Sequence, residues 1–177
     1  ASDRRLMVRL VKGAYWDFET VLARQKGWKV PVYLNKKESD ASFELCARKL
    51  IDAYPHLRVA IGSHNVRSIS AAIAYAKSEG LDPRAIEIQM LFGMADPIKR
   101  SLVKDGFRVR EYATIGELIP GMAYLVRRLL ENTSNESFLR SKFADNVSSD
   151  VLLKNPAENI EYTDGGPGHS AGQFTQR

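Results

Sequence analysis

AIEIQMLFGMADP, residues 85–97, contains the pattern that organises the whole chain. Ala85–Leu91 is a short, largely apolar run of the kind that forms a buried strand. A few residues later, Asp96-Pro97 opens a helix, with Asp96 predicted at the N-cap and Pro97 at the first helical position, where its missing N–H costs nothing. That helix ends near Gly106. Strand, short loop and helix in succession make one β/α unit.

The same alternation extends in both directions. Leu6–Val11 reads as a strand followed by a helix over Asp17–Gln25. An amphipathic helix covers Asp40–Ala53, with Ser39 or Asp40 as its N-cap. Arg58–Gly62 is a short buried strand, and Ser68–Glu79 is an Ala/Ile-rich helix closed by Gly80. Arg108–Ala113 is a fourth strand, Gly116–Glu131 a long helix, and Ser137–Phe143 a further short one. Four strands alternating with helices predict a parallel α/β sheet. No Gly-x-Gly-x-x-Gly or Walker-type loop follows any strand, which disfavours nucleotide folds of those kinds.

Polar residues gather where each strand ends: Lys12-Gly-Ala-Tyr-Trp16, Ser63-His-Asn65, Gln89 and Tyr112. In a (β/α)8 barrel those ends form the active-site face. Four units are half of such a barrel, and the chain opens ASDRRLMVRL without an initiator Met. It is expected to be the second half of something longer. The predicted organisation is a half-barrel over 1–145 and a polar, Gly-rich tail or linker, partly disordered, over 146–177.

Composition narrows the function classes. Of 177 residues, 44% are hydrophobic and 27% charged, ordinary for a soluble globular domain. The net charge of +5 comes from scattered Lys and Arg, whereas a nucleic-acid stripe needs clustering. The single cysteine, Cys46, forms no internal disulfide, fits a reducing compartment and is read as a small core residue. No apolar run is long enough to span a membrane. No His, Asp or Glu cluster has metal-ligand spacing, so no metal is assigned.

Single residues allow more than one reading. Lys12 is a surface loop lysine, a Schiff-base nucleophile as in barrel aldolases, or a cation for a phosphate or reduced cofactor. Arg9 sits within the apolar strand MVRLV and must find acceptors. His64 is either a satisfied structural histidine or a site residue. The adjacent Arg127 and Arg128 form a solvated helix edge, with an Arg127–Glu131 pair, or a clamp for a carboxylate.

Several separated motifs, RLVKGAYWD (9–17), SHN (63–65), QMLFGM (89–94), YLVRRLLEN (124–132) and NESF (135–138), occur in one order. Together they resemble the proline dehydrogenase domain of the bifunctional bacterial proline utilization A flavoproteins. The resemblance runs from Leu6 to Phe143. It implies a distorted (β/α)8 barrel holding FAD, of which this chain is the C-terminal half.

It further implies oxidation of L-proline to 1-pyrroline-5-carboxylate, with electrons passed to a membrane quinone. Arg9 matches the arginine that hydrogen-bonds the reactive flavin nitrogen, and Lys12, Gly13 and Trp16 match flavin contacts. Ala14 and Tyr15 match the edge of the proline pocket. Ser63, with a hydroxyl where threonine is expected, His64 and Asn65 match the adenine-dinucleotide stretch. Gln89 and Leu91 match residues beside the isoalloxazine, Leu91 on the substrate side. Tyr112 matches the tyrosine packed on proline, although the following ATIG lacks a proline. Arg127 and Arg128 match the carboxylate clamp, and Glu131 and Phe138 match positions near the far end of the cofactor.

The partners implied are an upstream half-barrel, a downstream NAD-dependent aldehyde dehydrogenase domain and, for the assembled enzyme, a homo-oligomer. The location implied is cytoplasmic, peripheral on the inner face of the membrane. Competing readings are the lysine-dependent aldolase through Lys12 and a non-catalytic basic module.

Overall fold

The computed structural model describes residues 5–13, 15–134 and 148–158. In chain order the elements are β1 (Leu6–Leu10), α1 (Trp16–Lys26), α2 (Lys36–Asp52), β2 (Leu57–Gly62), α3 (Val66–Ser78), a 3-10 turn (Pro83–Ala85), β3 (Ile86–Leu91), α4 (Asp96–Lys104), β4 (Arg108–Tyr112), α5 (Leu118–Ser134) and α6 (Ser149–Leu152). The predicted strands all form, each within a residue of its expected bounds. The expected helix over Ser137–Phe143 lies outside the described residues.

Among the described residues one sheet forms, in the order β1-β2-β3-β4, and every pairing is parallel. Register gives the sheet two unlike faces. Leu10, Ile61, Ile88 and Val109 align on one face. That face packs against Phe43, Ala47 and Ile51 of α2, Ile69, Ala72 and Ala76 of α3, and Leu102 of α4. Each fully buried isoleucine of this layer contributes about 1.5–3 kcal/mol. Strands in sequential order, with α2, α3 and α4 on a single face, are staves of a (β/α)8-type barrel; a doubly wound sheet would reverse its strand order and use both faces.

The other face is the barrel interior. Its rows are Arg9, Ala60, Glu87 and Arg108, then Gly62, Gln89 and Arg110, then Leu91 and Tyr112. The strand alternation already carries this division: in IEIQML the Ile and Met side chains meet the helices, while Glu87, Gln89 and Leu91 point inward.

Several helix starts differ from expectation. α2 begins at Lys36, capped by Asn35, whose side chain accepts from Lys37 N at 2.9 Å. Asp40 therefore lies inside the helix, its carboxylate left for lysines. α3 begins at Val66, capped by Asn65, whose side chain accepts from Ser68 N at 3.1 Å. α4 has Ala95 at its N-cap, at φ 56°. Asp96 is the first helical residue and turns its carboxylate to Lys99, 2.6 Å away, instead of capping. α5 begins at Leu118 and places Pro120 in its first turn, where no helical hydrogen bond is lost. Cys46 is half-buried and lies outside the main core cluster. Within the segment predicted as tail, α6 is followed by a bond from Arg67 Nη1 to the Leu153 carbonyl at 2.6 Å.

Candidate active site

The inward face carries a continuous polar chain at the C-terminal ends of the strands. Arg9, on β1, donates from Nε to Gln89 Oε1 on β3 at 2.6 Å and from Nη2 to the Tyr112 hydroxyl on β4 at 2.9 Å. Its guanidinium also stands 5.1 Å from the centroid of the Tyr112 ring. To get there the side chain crosses β2 at Gly62. A Cβ on Gly62 would stand 3.0 Å from Arg9 Nη2, 3.1 Å from its Cζ and 3.0 Å from Val11 Cγ1, tight enough that one of these side chains would have to shift by a few tenths of an ångström. Gly62 is thus a passage for the arginine. Nη1 of Arg9 has no acceptor among the described residues.

The chain continues downward and outward. Gln89 Nε2 donates to Glu87 Oε1 at 2.7 Å. Glu87 is 2% exposed and receives both arms of the Arg110 fork, at 2.6 and 2.8 Å. Those hydrogen bonds from Arg110 hold the Glu87 carboxyl below its ordinary pKa, against the pull of burial. Above, Tyr124 on α5 stands beside Tyr112; burial first, and the neighbouring Tyr112 hydroxyl second, raise the Tyr124 pKa. Arg128, one turn further along α5, stands 5.8 Å from the Tyr124 ring centroid. Arg9, Gln89 and Tyr112 thus form one hydrogen-bonded group, with Tyr124 and Arg128 next to it.

Lys12 belongs to a second group, on the helix side of the sheet. Its ammonium pairs with Asp40, donates to Ser68 Oγ at 2.8 Å and lies 4.8 Å from the centre of the Phe43 ring. Burial lowers the Lys12 pKa despite the opposing charge of Asp40. Burial pushes Asp40 up, but Lys12 and Lys36, the latter 2.9 Å away, together bring it below its ordinary value. An ammonium turned to the helix layer does not reach the interior, strand-end face where a barrel aldolase would form its Schiff base.

A third group fastens the end of β3. His64 Nε2 accepts from Leu91 N at 2.9 Å, so the imidazole is neutral with its proton on Nδ1. Burial, then the charge of Lys99, keep the His64 pKa low. Lys99 is buried, pairs with Asp96 and Glu111 and lies 3.5 Å from the Leu91 carbonyl. Burial presses its pKa down, but the two carboxylates outweigh that and raise it. Ser63 Oγ accepts from Asn65 N at 3.1 Å and Asn65 caps α3, so all three residues of SHN have structural partners.

The remaining predicted positions are more scattered. Gly13 adopts φ 75° and accepts from Trp16 N at 3.4 Å. Tyr15 is exposed at the start of α1, and Trp16 Nε1 donates to the Tyr33 carbonyl at 2.8 Å. Arg127 and Glu131 lie on α5; their side chains, like Ala14 and Phe138 altogether, are outside the described residues. Among the described residues there is no cluster of His, Cys, Asp or Glu able to hold a metal, and no helix long and apolar enough to cross a membrane.

Sequence reasoning passed over Glu87, Gly62, Tyr124 and Lys99. Signals existed for three: a carboxylate inside an apolar strand, a glycine at a strand end, and a tyrosine four residues before Arg128 on one helix face. Lys99 had none, because a lysine on an amphipathic helix normally faces water.

Comparison with known proteins identifies the family to which such a sheet belongs. Residues 1–141 match the family model described as proline dehydrogenase. Bifunctional protein PutA of Salmonella typhimurium is 38% identical over 167 residues, covering 90% of this chain and 13% of that protein. Proline dehydrogenase 2 of Bacillus subtilis is 34% identical over 132 residues, 74% of this chain and 39% of that protein. The crystal structure of proline utilization A from Bdellovibrio bacteriovorus, inactivated by N-propargylglycine, superposes with a TM-score of 0.85 at 59% identity, over 91% of this chain and 17% of that one. The chain thus spans well under half the length of these relatives. With 141 residues matched to the family model and its sheet laid out as barrel staves, the chain belongs to the proline dehydrogenase family.

Proposed function

We propose that this chain is the C-terminal half of a barrel that oxidises L-proline to 1-pyrroline-5-carboxylate with FAD. The observation that carries the reading is Arg9, held by Gln89 and Tyr112 at the strand ends while Nη1 has no acceptor among the described residues. That donor set fits a flavin, whose ring nitrogens accept hydrogen bonds.

In this reading Arg9, Gly13, Trp16, Ser63, His64, Asn65, Gln89, Glu131 and Phe138 hold the cofactor, whereas Lys12, expected among them, has its ammonium committed to Asp40 and Ser68 on the helix side and offers only its main chain. FAD, when bound, supplies the two-electron acceptor for hydride from the ring carbon beside the proline nitrogen. The chain's residues bind and orient. Arg127 and Arg128 take the substrate carboxylate, and a charge-assisted fork of that kind contributes about 2–3 kcal/mol. Tyr112 packs on the ring with Leu91, Ala14 and Tyr15 around it, and the amine proton leaves to solvent. The fixed charge of Arg9 favours anionic reduced flavin.

The upstream half-barrel would complete the site, a downstream NAD-dependent aldehyde dehydrogenase domain would take the product, and a membrane quinone would accept the electrons. A cytoplasmic enzyme, homo-oligomeric and peripheral on the inner face of the membrane, is consistent with that chemistry. The test is the visible spectrum of the full-length protein before and after anaerobic L-proline. A flavin band that bleaches supports the reading; a colourless protein indifferent to proline overturns it.

A further inference from the structure

We propose that Glu87 is a positioning residue that sets the direction of the Arg9 guanidinium through the side chain of Gln89; this rests on the flavin reading above. A carboxamide has two faces of nearly equal shape, one accepting and one donating. Nothing in Gln89 itself decides which faces Arg9. Glu87, as a carboxylate, can only accept, and it stands 2.7 Å from Gln89 Nε2. The amide therefore turns its NH2 to Glu87 and its oxygen to Arg9, a group with donors only that it meets at 2.6 Å, so the carboxylate pins from below the orientation that the arginine requires.

With that oxygen in place, Arg9 Nε is committed to Gln89 and Nη2 to Tyr112, and Nη1 is left directed away from both. Turn the amide over and an N–H faces the Arg9 N–H; the arginine then loses one of its two anchors. Arg110 keeps Glu87 charged by gripping both of its oxygens. Its side chain is 59% exposed, so it can turn to water when Glu87 is neutralised, and Glu87→Gln leaves no buried cation stranded.

A carboxylate that merely balanced the charge of Arg110 and Arg108 would act independently of Gln89. The relay predicts the opposite, and the midpoint potential of the bound flavin distinguishes them. The holoenzymes to compare are wild type, Glu87→Gln, Gln89→Met and the double variant. Each single variant should shift the oxidised-to-reduced equilibrium about tenfold toward oxidised flavin, which is about 30 mV for a two-electron couple. The double variant should shift it no further than Gln89→Met alone.

A Glu87→Gln potential within about twofold of wild type in that equilibrium, or shifts that add in the double variant, would overturn the proposal. If Glu87→Gln does not assemble, Glu87→Asp, whose carboxylate is one methylene shorter, is read by the same cycle with the same outcomes. Failure of the underlying flavin reading is seen separately, as a wild-type holoenzyme that carries no flavin.

Discussion

Arg9 and Tyr112, 103 residues apart in the chain, are joined by a 2.9 Å hydrogen bond that reaches from the first strand of the sheet to the last. Two strands intervene, and the bond exists because the intervening positions are unequal: Gly62 yields space and Gln89 supplies an acceptor.

Gly62→Ala should displace Arg9. The new methyl would sit 3.0 Å from Nη2 and from Val11, so the arginine or the strand must move, an overpacking cost of about 1–3 kcal/mol. The expected result in the full-length enzyme is at least a tenfold loss in flavin affinity with a lowered melting temperature. Flavin titration and thermal unfolding check it, and wild-type affinity would show that Arg9 does not need the passage.

Arg128→Met should lower kcat/KM for proline at least tenfold while flavin stays bound, because Arg128 stands against the Tyr124 ring whereas Arg9 is held by Gln89 and Tyr112. Steady-state kinetics on the flavin-loaded variant decide the matter. Near-normal proline kinetics would remove Arg128 from the clamp.

Asp40→Ala should be strongly destabilising. It strips the counter-charge from Lys12, whose side chain is 14% exposed, and removing one partner of such a pair costs about 3–5 kcal/mol. The pH dependence has a definite sign. The Asp40 pKa is lowered in the folded protein, so its stabilisation is present above the ordinary carboxylate value, about pH 4, and is lost as pH falls through the folded one. Melting temperatures followed downward from there should fall less steeply in the variant than in wild type.

His64→Gln tests the fastening of β3. The folded histidine is held neutral by burial and Lys99, whereas the unfolded chain takes up a proton below about pH 6.5. Stability should therefore decline as pH falls through that value, with the loss complete below the lower folded pKa. The glutamine variant, with nothing to titrate at that position, should show a flatter melting-temperature profile from pH 7 to 5. Superimposable profiles would mean that protonation of His64 does not govern the Leu91 contact.

Much of the architecture was legible in the sequence because its signals are local. Apolar runs the length of strands, Pro97 at a helix start and Gly80 after a helix end each act within a few residues. Helix starts were less legible: Asn35, Asp40 and Asp96 are all fit to cap, and the choice among them turned on where the lysines lay. Asp40 was drawn to Lys12 and Lys36, and Asp96 to Lys99. Of the site, the residue types and their place at strand ends were readable, but not their partners.

The sequence by itself determined the alternation of strand and helix, the parallel sheet it implies, and that Arg9, Gln89 and Tyr112 lie in strands or at their ends. Tertiary structure alone decided that these three meet, that Lys12 turns to Asp40 and Ser68 on the helix side, and that Glu87 lies beneath Gln89. The reason is register. Which face a side chain takes follows from its parity along its own strand, but which neighbours it finds there depends on how four strands far apart in sequence are aligned. A local pattern does not contain that alignment; packing of the helices on the outer face imposes it.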